Sequence, residues 1–195
     1  MKNKFKRLHE GAKIPKKATV GSAAYDLSVT EDVIIKPGRQ IIPLGFALEM
    51  EPGYQALVEP RSGFSSKGME GYEVVRIWTY ESPLGYIRGF ADRENAKEPN
   101  IKEYISREKE LNIKEYVSRE PERFDCDVIV GKIDADYRDG IGVILNNRDK
   151  RTFLIKKGTR IAQLTFLKVE NVEWEETDTL SETDREGGFG STGTK

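Results

Sequence analysis

The chain has almost none of the side chains used for soft-metal or redox chemistry: its 195 residues hold one cysteine, Cys126, and one histidine, His9. A disulfide framework is therefore excluded, and a zinc site would lack ligands. Any metal should be a hard cation such as Mg²⁺ held by oxygen. An excess of one charge is missing too, with 32 basic residues against 33 acidic and a net charge of -1. No global field draws the protein to nucleic acid or to an anionic membrane, so any phosphate binding must be local. No stretch approaches the ~20 apolar residues that span a bilayer. The basic, polar start from Met1 to Lys17 has no apolar signal core. A soluble, cytoplasmic (intracellular) protein is expected.

What the sequence does have is short β-rich runs between turn signals. Val33 to Ile35, Gln40 to Ile42 and Gln55 to Val58 are set apart by Lys36-Pro37-Gly38-Arg39 and Glu51-Pro52-Gly53. A second block from Val128 to Val169 contains Gly142 to Leu145, Thr152 to Ile155 and Arg160 to Leu167, with Lys156-Lys157-Gly158 as a hairpin-like turn. This spacing describes an all-β sandwich, barrel or jelly roll. The length suits one domain whose two blocks share a core.

Residues 69–124 read as an insertion of different character. From Asp92 to Arg123, 17 of 32 residues are charged, and Asn100-Ile-Lys-Glu-Tyr-Ile-Ser-Arg-Glu108 recurs as Asn112-Ile-Lys-Glu-Tyr-Val-Ser-Arg-Glu120. Each copy opens on an asparagine with glutamate three residues on, at Glu103 and Glu115, which predicts a short helix at each. A 12-residue offset turns a helix about 120° past whole turns, so the apolar positions of the copies share no stripe and two short helices are expected. The insert is either a tolerated surface excursion left by duplication or an element that binds a partner not named by the sequence. From residue 173 onward the chain is acidic and aperiodic, and residues 173–195 are expected to form a mobile arm.

Three motifs carry chemistry. The tail reads Arg185-Glu-Gly-Gly-Phe-Gly-Ser-Thr-Gly193. It matches the dinucleotide fingerprint in letters but lacks the strand before and helix after that the fingerprint requires. What remains is bare amides, two hydroxyls and an arginine suited to phosphate, with Phe189 as a stacking surface. Glu59-Pro-Arg-Ser-Gly63 directly follows a β run, and its arginine, serine and amides suit an oligophosphate. Gly131-Lys-Ile-Asp-Ala-Asp-Tyr137 puts two carboxylates and a tyrosine at a strand-to-turn junction, where Asp is also common for purely structural reasons.

Ser22-Ala-Ala-Tyr-Asp-Leu27, Arg61-Ser-Gly63, Gly131 to Arg138, Gly158-Thr-Arg-Ile-Ala-Gln-Leu164 and Arg185 to Gly193 resemble, in this order, the five motifs of the trimeric dUTPase family. The resemblance covers roughly residues 12–68 and 125–195. It implies a jelly-roll-like β-clip subunit with a part-helical insert, and a homotrimer with active sites shared between subunits. The implied reaction is Mg²⁺-assisted hydrolysis of dUTP to dUMP and pyrophosphate, which keeps uracil out of DNA and supplies dUMP for dTMP synthesis. By the same resemblance, Asp134 is the base that activates water against the α-phosphorus. Arg61, Ser62, Gly63 and Gln163 hold phosphates, and Arg185, Gly190, Ser191 and Thr192 close over them. Gly131, Lys132, Ile133 and Gly142 frame the uracil, Phe189 stacks on it, Tyr137 packs under the sugar, and Asp26 reaches the metal through water. Arg185 stands four residues before Phe189 where the family commonly has five, and Ala24 replaces a usual glycine.

A dCTP deaminase shares that fold, but its third motif resembles Asp-x-Gly-Phe, unlike Asp134-x-Asp136-Tyr137, and it lacks the glycine-rich tail. A different class of reading is a nucleotide-gated regulatory protein whose insert recognises another macromolecule.

Overall fold

Glycine ends the β runs where a left-handed residue is needed: Gly38, Gly53 and Gly158 take φ of 91°, 84° and 83°. At the last of these the Thr159 amide donates to the Lys156 carbonyl at 3.0 Å, closing a turn, but not a hairpin, because the strands on either side of it pair in different sheets. The computed structural model describes residues 2–82, 85–90 and 112–184. The first half of the chain forms β1 (Lys4–Arg7), β2 (Tyr25–Ser28), β3 (Val33–Ile35), β4 (Gly38–Pro43), β5 (Phe46–Glu49) and β6 (Tyr54–Glu59), followed by the short helix α1 (Ser62–Lys67). Then come β7 (Met69–Ser82), β8 (Gly85–Phe90), β9 (Asn112–Val117), β10 (Glu122–Phe124), β11 (Cys126–Ile129) and β12 (Gly131–Ile133). The chain continues through β13 (Gly142–Asn147), β14 (Thr152–Ile155) and β15 (Arg160–Lys168).

The strands assemble into antiparallel sheets ordered β12-β6-β15-β2, β11-β13-β4, β10-β7-β14-β3 and β1-β5. Alternation decides their faces. In β13, Val143, Leu145 and Asn147 point inward; in β6, Ala56 and Val58 do. Together with Leu27, Phe46, Phe153, Ile161 and Leu164 they form one core, so the two β blocks share an interior as expected. The one buried amide among these, Asn147, is satisfied: it donates to the Arg151 carbonyl at 2.9 Å and accepts from the Asp149 amide at 2.9 Å. Among the described residues no helix is long and apolar enough to cross a membrane.

The insert departs from expectation. Asn112–Val117, the start of the second repeat copy, is a strand and not a helix: β9 pairs with β7, Trp78 opposite Ile113 and Val74 opposite Val117. The physical reason is tertiary. A lone helix of one or two turns is marginal in water, whereas β7 runs 14 residues and offers an open edge to pair with. β8 takes the other edge, from Ile77↔Phe90 to Ser82↔Gly85. The first repeat copy, 100–108, lies outside the described residues. β7 is rooted in the body, for Met69 and Val74 are buried in it.

Candidate active site

Register across the β12-β6-β15-β2 sheet gathers one group of the expected site residues. Gln163 of β15 stands opposite Glu59 of β6 on one side and opposite Asp26 of β2 on the other. Leu27, Val58 and Leu164 point into the core. Asp26, Gln163 and Glu59 therefore share the outer face, with adjacent members about 5 Å apart. Immediately past Glu59 the chain passes through Pro60 to Arg61, which returns across the row: its Nε donates to Asp26 Oδ1 at 2.8 Å. Arg160 Nη1 donates to Asp26 Oδ2 at 2.9 Å, and the Asp26 amide donates to the Lys16 carbonyl at 2.9 Å. Both carboxylate oxygens of Asp26 are thus occupied by guanidinium groups. Thr165 completes the row's support, its hydroxyl donating to Glu59 Oε2 at 2.8 Å.

Arg61 is also the N-cap of α1, extended at φ -79° and ψ 144°. Its carbonyl receives the Phe64 and Ser65 amides at 2.9 and 3.0 Å. Phe64 is buried and anchors this turn to the core, which leaves Ser62 and Gly63 exposed at its start, ahead of the first intrahelical bond. A planar, multi-donor guanidinium next to free amides and a carboxamide is well suited to a phosphate chain.

The second group lies on the loop after β12. The Asp134 carbonyl accepts the Tyr137 amide at 3.2 Å, closing a turn that leaves the Asp134 carboxylate exposed. Ile133 is buried and Ala135 packs on the core, so the acid is carried on a rooted turn. Tyr137 donates its hydroxyl to the Gly140 carbonyl at 3.3 Å. Gly142 opens β13, and a Cβ there would meet Ile41 Cγ2 at 2.8 Å, so a side chain would require Ile41 to move. A Cβ at Gly131 would meet nothing within 4 Å. The Lys132 side chain stands exposed on the outer face, opposite Leu57.

These two groups do not meet within one chain. β12 runs against β6 with Ile133 opposite Ala56 and Gly131 opposite Val58. Ile133 is thus level with a point about 10 Å short of Glu59, three residues of strand away. Asp134 continues beyond one end and Arg61 beyond the other. Arg185, Phe189, Gly190, Ser191 and Thr192 lie outside the described residues.

A sequence model of the dUTPase family matches residues 10–81 and 124–193. The chain belongs to the dUTPase family. Curated relatives named deoxyuridine 5'-triphosphate nucleotidohydrolase include that of Nautilia profundicola, 35% identical over 99% of both chains, and that of Gloeothece citriformis, 32% identical over 99% of this chain and 97% of its own. The activity is dUTP diphosphatase, hydrolysis of dUTP to dUMP. Solved dUTPases have the same β-clip, jelly-roll-like fold. A Staphylococcus bacteriophage 80alpha dUTPase variant with dUpNHpp aligns at a TM-score of 0.65 and 21% identity over 99% of both chains. The dUTPase of phage phi11 of S. aureus, whose structure visualises a species-specific insert, aligns at 0.60 and 18% identity over 94% of this chain and 100% of its own.

Arg160 and the Glu59–Thr165 pair were not singled out from the sequence. Arg160 lies inside a motif that was, but its tie to Asp26 spans 134 residues and is visible only in the register.

Proposed function

We propose that dUTP is hydrolysed at a site completed between copies of this chain, most simply in a homotrimer. The observation that supports this is the divergence of Asp134 from Arg61 and Gln163 along neighbouring strands. In this reading the turn from Gly131 to Tyr137 of one subunit receives the deoxyuridine, its backbone hydrogen-bonding the uracil edge. Gly142 keeps the neighbouring space clear, and Tyr137 lies under the sugar. Asp134 takes the proton of a water whose oxygen bonds to the α-phosphorus, while the bond from that phosphorus to the bridging oxygen of the β-phosphate breaks and pyrophosphate leaves. Arg61, Ser62, Gly63 and Gln163 of a second subunit hold the phosphates and offset the charge that builds on them. Arg185, Phe189, Gly190, Ser191 and Thr192 complete the enclosure from a third.

Mg²⁺ fits as a companion of the triphosphate and not as an ion caged by protein. Among the described residues no three His, Cys, Asp or Glu side chains cluster to hold a metal. Mg²⁺ is commonly bound by substrate phosphates with one or two carboxylates and retained water. Asp26, with both oxygens taken by arginine, would contact it through water. When bound it would neutralise phosphate charge.

The test is pyrophosphate release from dUTP, UTP, dCTP and dTTP, with and without Mg²⁺. Strong preference for dUTP is expected. Asp134→Asn should lower kcat by ~10²- to 10⁴-fold with little change in substrate binding; a loss below about tenfold would remove Asp134 from the role of base.

A further inference from the structure

Two lysine-bearing loops are fixed to β2. On one edge of the strand the Asp26 amide donates to the Lys16 carbonyl at 2.9 Å, a bridge that anchors the loop carrying Lys13, Lys16 and Lys17. On the edge where β15 pairs, the Gly158 amide donates to the Val29 carbonyl at 2.9 Å, and the Val29 amide to the Thr159 carbonyl at 3.0 Å. These bonds anchor the turn that carries Lys157 and leads into Arg160. Lys13 reaches this turn, its Nζ 3.5 Å from the place a Cβ on Gly158 would take.

Both loops line one open cleft of about 750 Å³, which Arg7, Lys13, Lys16, Lys17, Lys157 and Arg160 make strongly basic. The carboxylates along it are Glu10 and Asp26, and Asp26 is taken up by Arg61 and Arg160. Asp32, beside Lys157, receives Lys156 Nζ at 3.0 Å and the Lys157 amide at 2.8 Å. Lys13, Lys16, Lys17 and Lys157 therefore stand exposed without a salt bridge among the described residues. Like charges gathered on anchored backbone raise the local potential, and the walls of a cleft focus it. The lining also narrows the class of anion. It holds no tyrosine or tryptophan, and its one aromatic residue, Phe46, is buried. A nucleic-acid strand would find no ring for its bases to stack on, whereas an anion of bare phosphates needs only the cations.

We infer that this cleft is a second anion site, which receives inorganic pyrophosphate as it leaves the phosphate row. This rests on the reading of Arg61, Ser62, Gly63 and Gln163 as the phosphate holders. The cleft and the row meet at Asp26 and Arg160, and Arg160 belongs to both: it is bonded to Asp26 on the row and lines the cleft. Hydrolysis cuts pyrophosphate loose from the uracil that held it in register and leaves it with more charge than it carried within dUTP. Its balance of affinity then moves from a site that also reads a base to one made of cations alone. Held at Lys13, Lys16, Lys17 and Lys157, it obstructs departure of the next pyrophosphate and inhibits in a way that dUTP does not relieve.

The test is binding of radiolabelled pyrophosphate to the full-length protein saturated with a dUTP analogue whose α–β bridge is nitrogen. Pyrophosphate should still bind, and its inhibition of dUTP hydrolysis should persist at saturating dUTP. Lys13→Gln/Lys16→Gln/Lys17→Gln removes three exposed charge contacts and should weaken that binding about tenfold, while the initial rate, read before product accumulates, changes little. Lys36→Gln/Arg39→Gln takes charge from an exposed turn outside the cleft and should leave pyrophosphate binding as it is. Complete displacement of pyrophosphate by the analogue, or inhibition abolished by saturating dUTP, overturns the second site. Inorganic phosphate bound as tightly as pyrophosphate also overturns it and leaves only a diffuse positive patch. A thymidine oligonucleotide that displaces pyrophosphate at equal phosphate concentration would assign the cleft to nucleic acid instead. A wild-type protein that binds pyrophosphate beside the analogue but does not hydrolyse dUTP would refute the proposed reaction and leave the anion site standing.

Discussion

Two inactive variants should repair each other if the site is divided as proposed. Asp134→Asn removes the base and Arg61→Ala removes the phosphate holder, and each alone should be slowed at least ~10²-fold. The second variant should still fold, because Asp26 retains Arg160 at 2.9 Å when Arg61 is lost. Losing the Arg61 hydrogen bond should cost about 1 kcal/mol. In a mixed assembly with subunits drawn at random from an equal pool, a site needs an intact Asp134 from one subunit and an intact Arg61 from the next. About one site in four meets that condition in a closed ring. Co-expressed, differently tagged variants should therefore recover roughly a quarter of wild-type turnover, peaking at equal proportions. The assay is pyrophosphate release from the whole co-expressed pool, with its composition checked by native mass spectrometry; in doubly tagged trimers alone about one site in three should be active at any ratio. If verified mixed assemblies stay at the level of their parents at every ratio, Asp134 and Arg61 act within one chain and the register argument is wrong.

Two further outcomes concern the body that carries the site. Arg151 ties β7 and β10 to the core: it donates to Asp149 at 2.8 Å and Glu122 at 2.9 Å, lies 3.5 Å from Glu73, and sits 5.0 Å from the centre of the Phe153 ring. Arg151→Met keeps an apolar stem but strands three carboxylates. Because the site is partly exposed, about 1–2 kcal/mol should be lost, lowering Tm by roughly 3–6 °C in a thermal melt. The Arg151 hydrogen bond holds the Asp149 carboxyl below its ordinary range against the opposing effect of burial. A depressed folded-state pKa stabilises above the ordinary value and loses that stabilisation as pH falls, so the gap in Tm between wild type and variant should be full above about pH 4 and close below it. A gap that widened in acid would contradict this. Cys126 is buried, and burial together with the Asp127 charge pushes its thiol up to about 12. It should resist disulfide reagents at pH 8 in the folded protein and react with one equivalent once urea unfolds the chain; rapid native reaction would refute the burial.

The strands were legible because each signal was local. Lys36-Pro37-Gly38, Glu51-Pro52-Gly53 and Lys156-Lys157-Gly158 force turns through a left-handed glycine, and the runs between them alternate inward and outward. The second repeat copy misled for the same reason. Its Asn112 and Glu115 meet the local requirement for a helix start, but a free edge of β7 offered six residues of backbone pairing that local spacing cannot reveal. Asp26 is a similar case: the motif Tyr25-Asp26-Leu27 marks the residue, while its partners Arg61 and Arg160 stand 35 and 134 positions away. Chemistry carried by a contiguous motif could be read, and chemistry carried by register could not.

Register also decides how defects in this protein should be understood. The strand pairing that assembles Asp26, Gln163 and Glu59 into one row is the same pairing that carries Asp134 the other way. A one-residue slip of β15 against β6 would put Leu164 outside and Gln163 in the core, so burial of Ala56, Val58 and Leu164 holds the phosphate side of the site in place. The acid side is held separately, by Ile133 and Ala135 under the Asp134 turn. Core substitutions beneath one group should therefore weaken that half of the reaction while the other half keeps its geometry. Substitutions under β15 should act mainly on phosphate binding, and those under the Asp134 turn mainly on the chemical step.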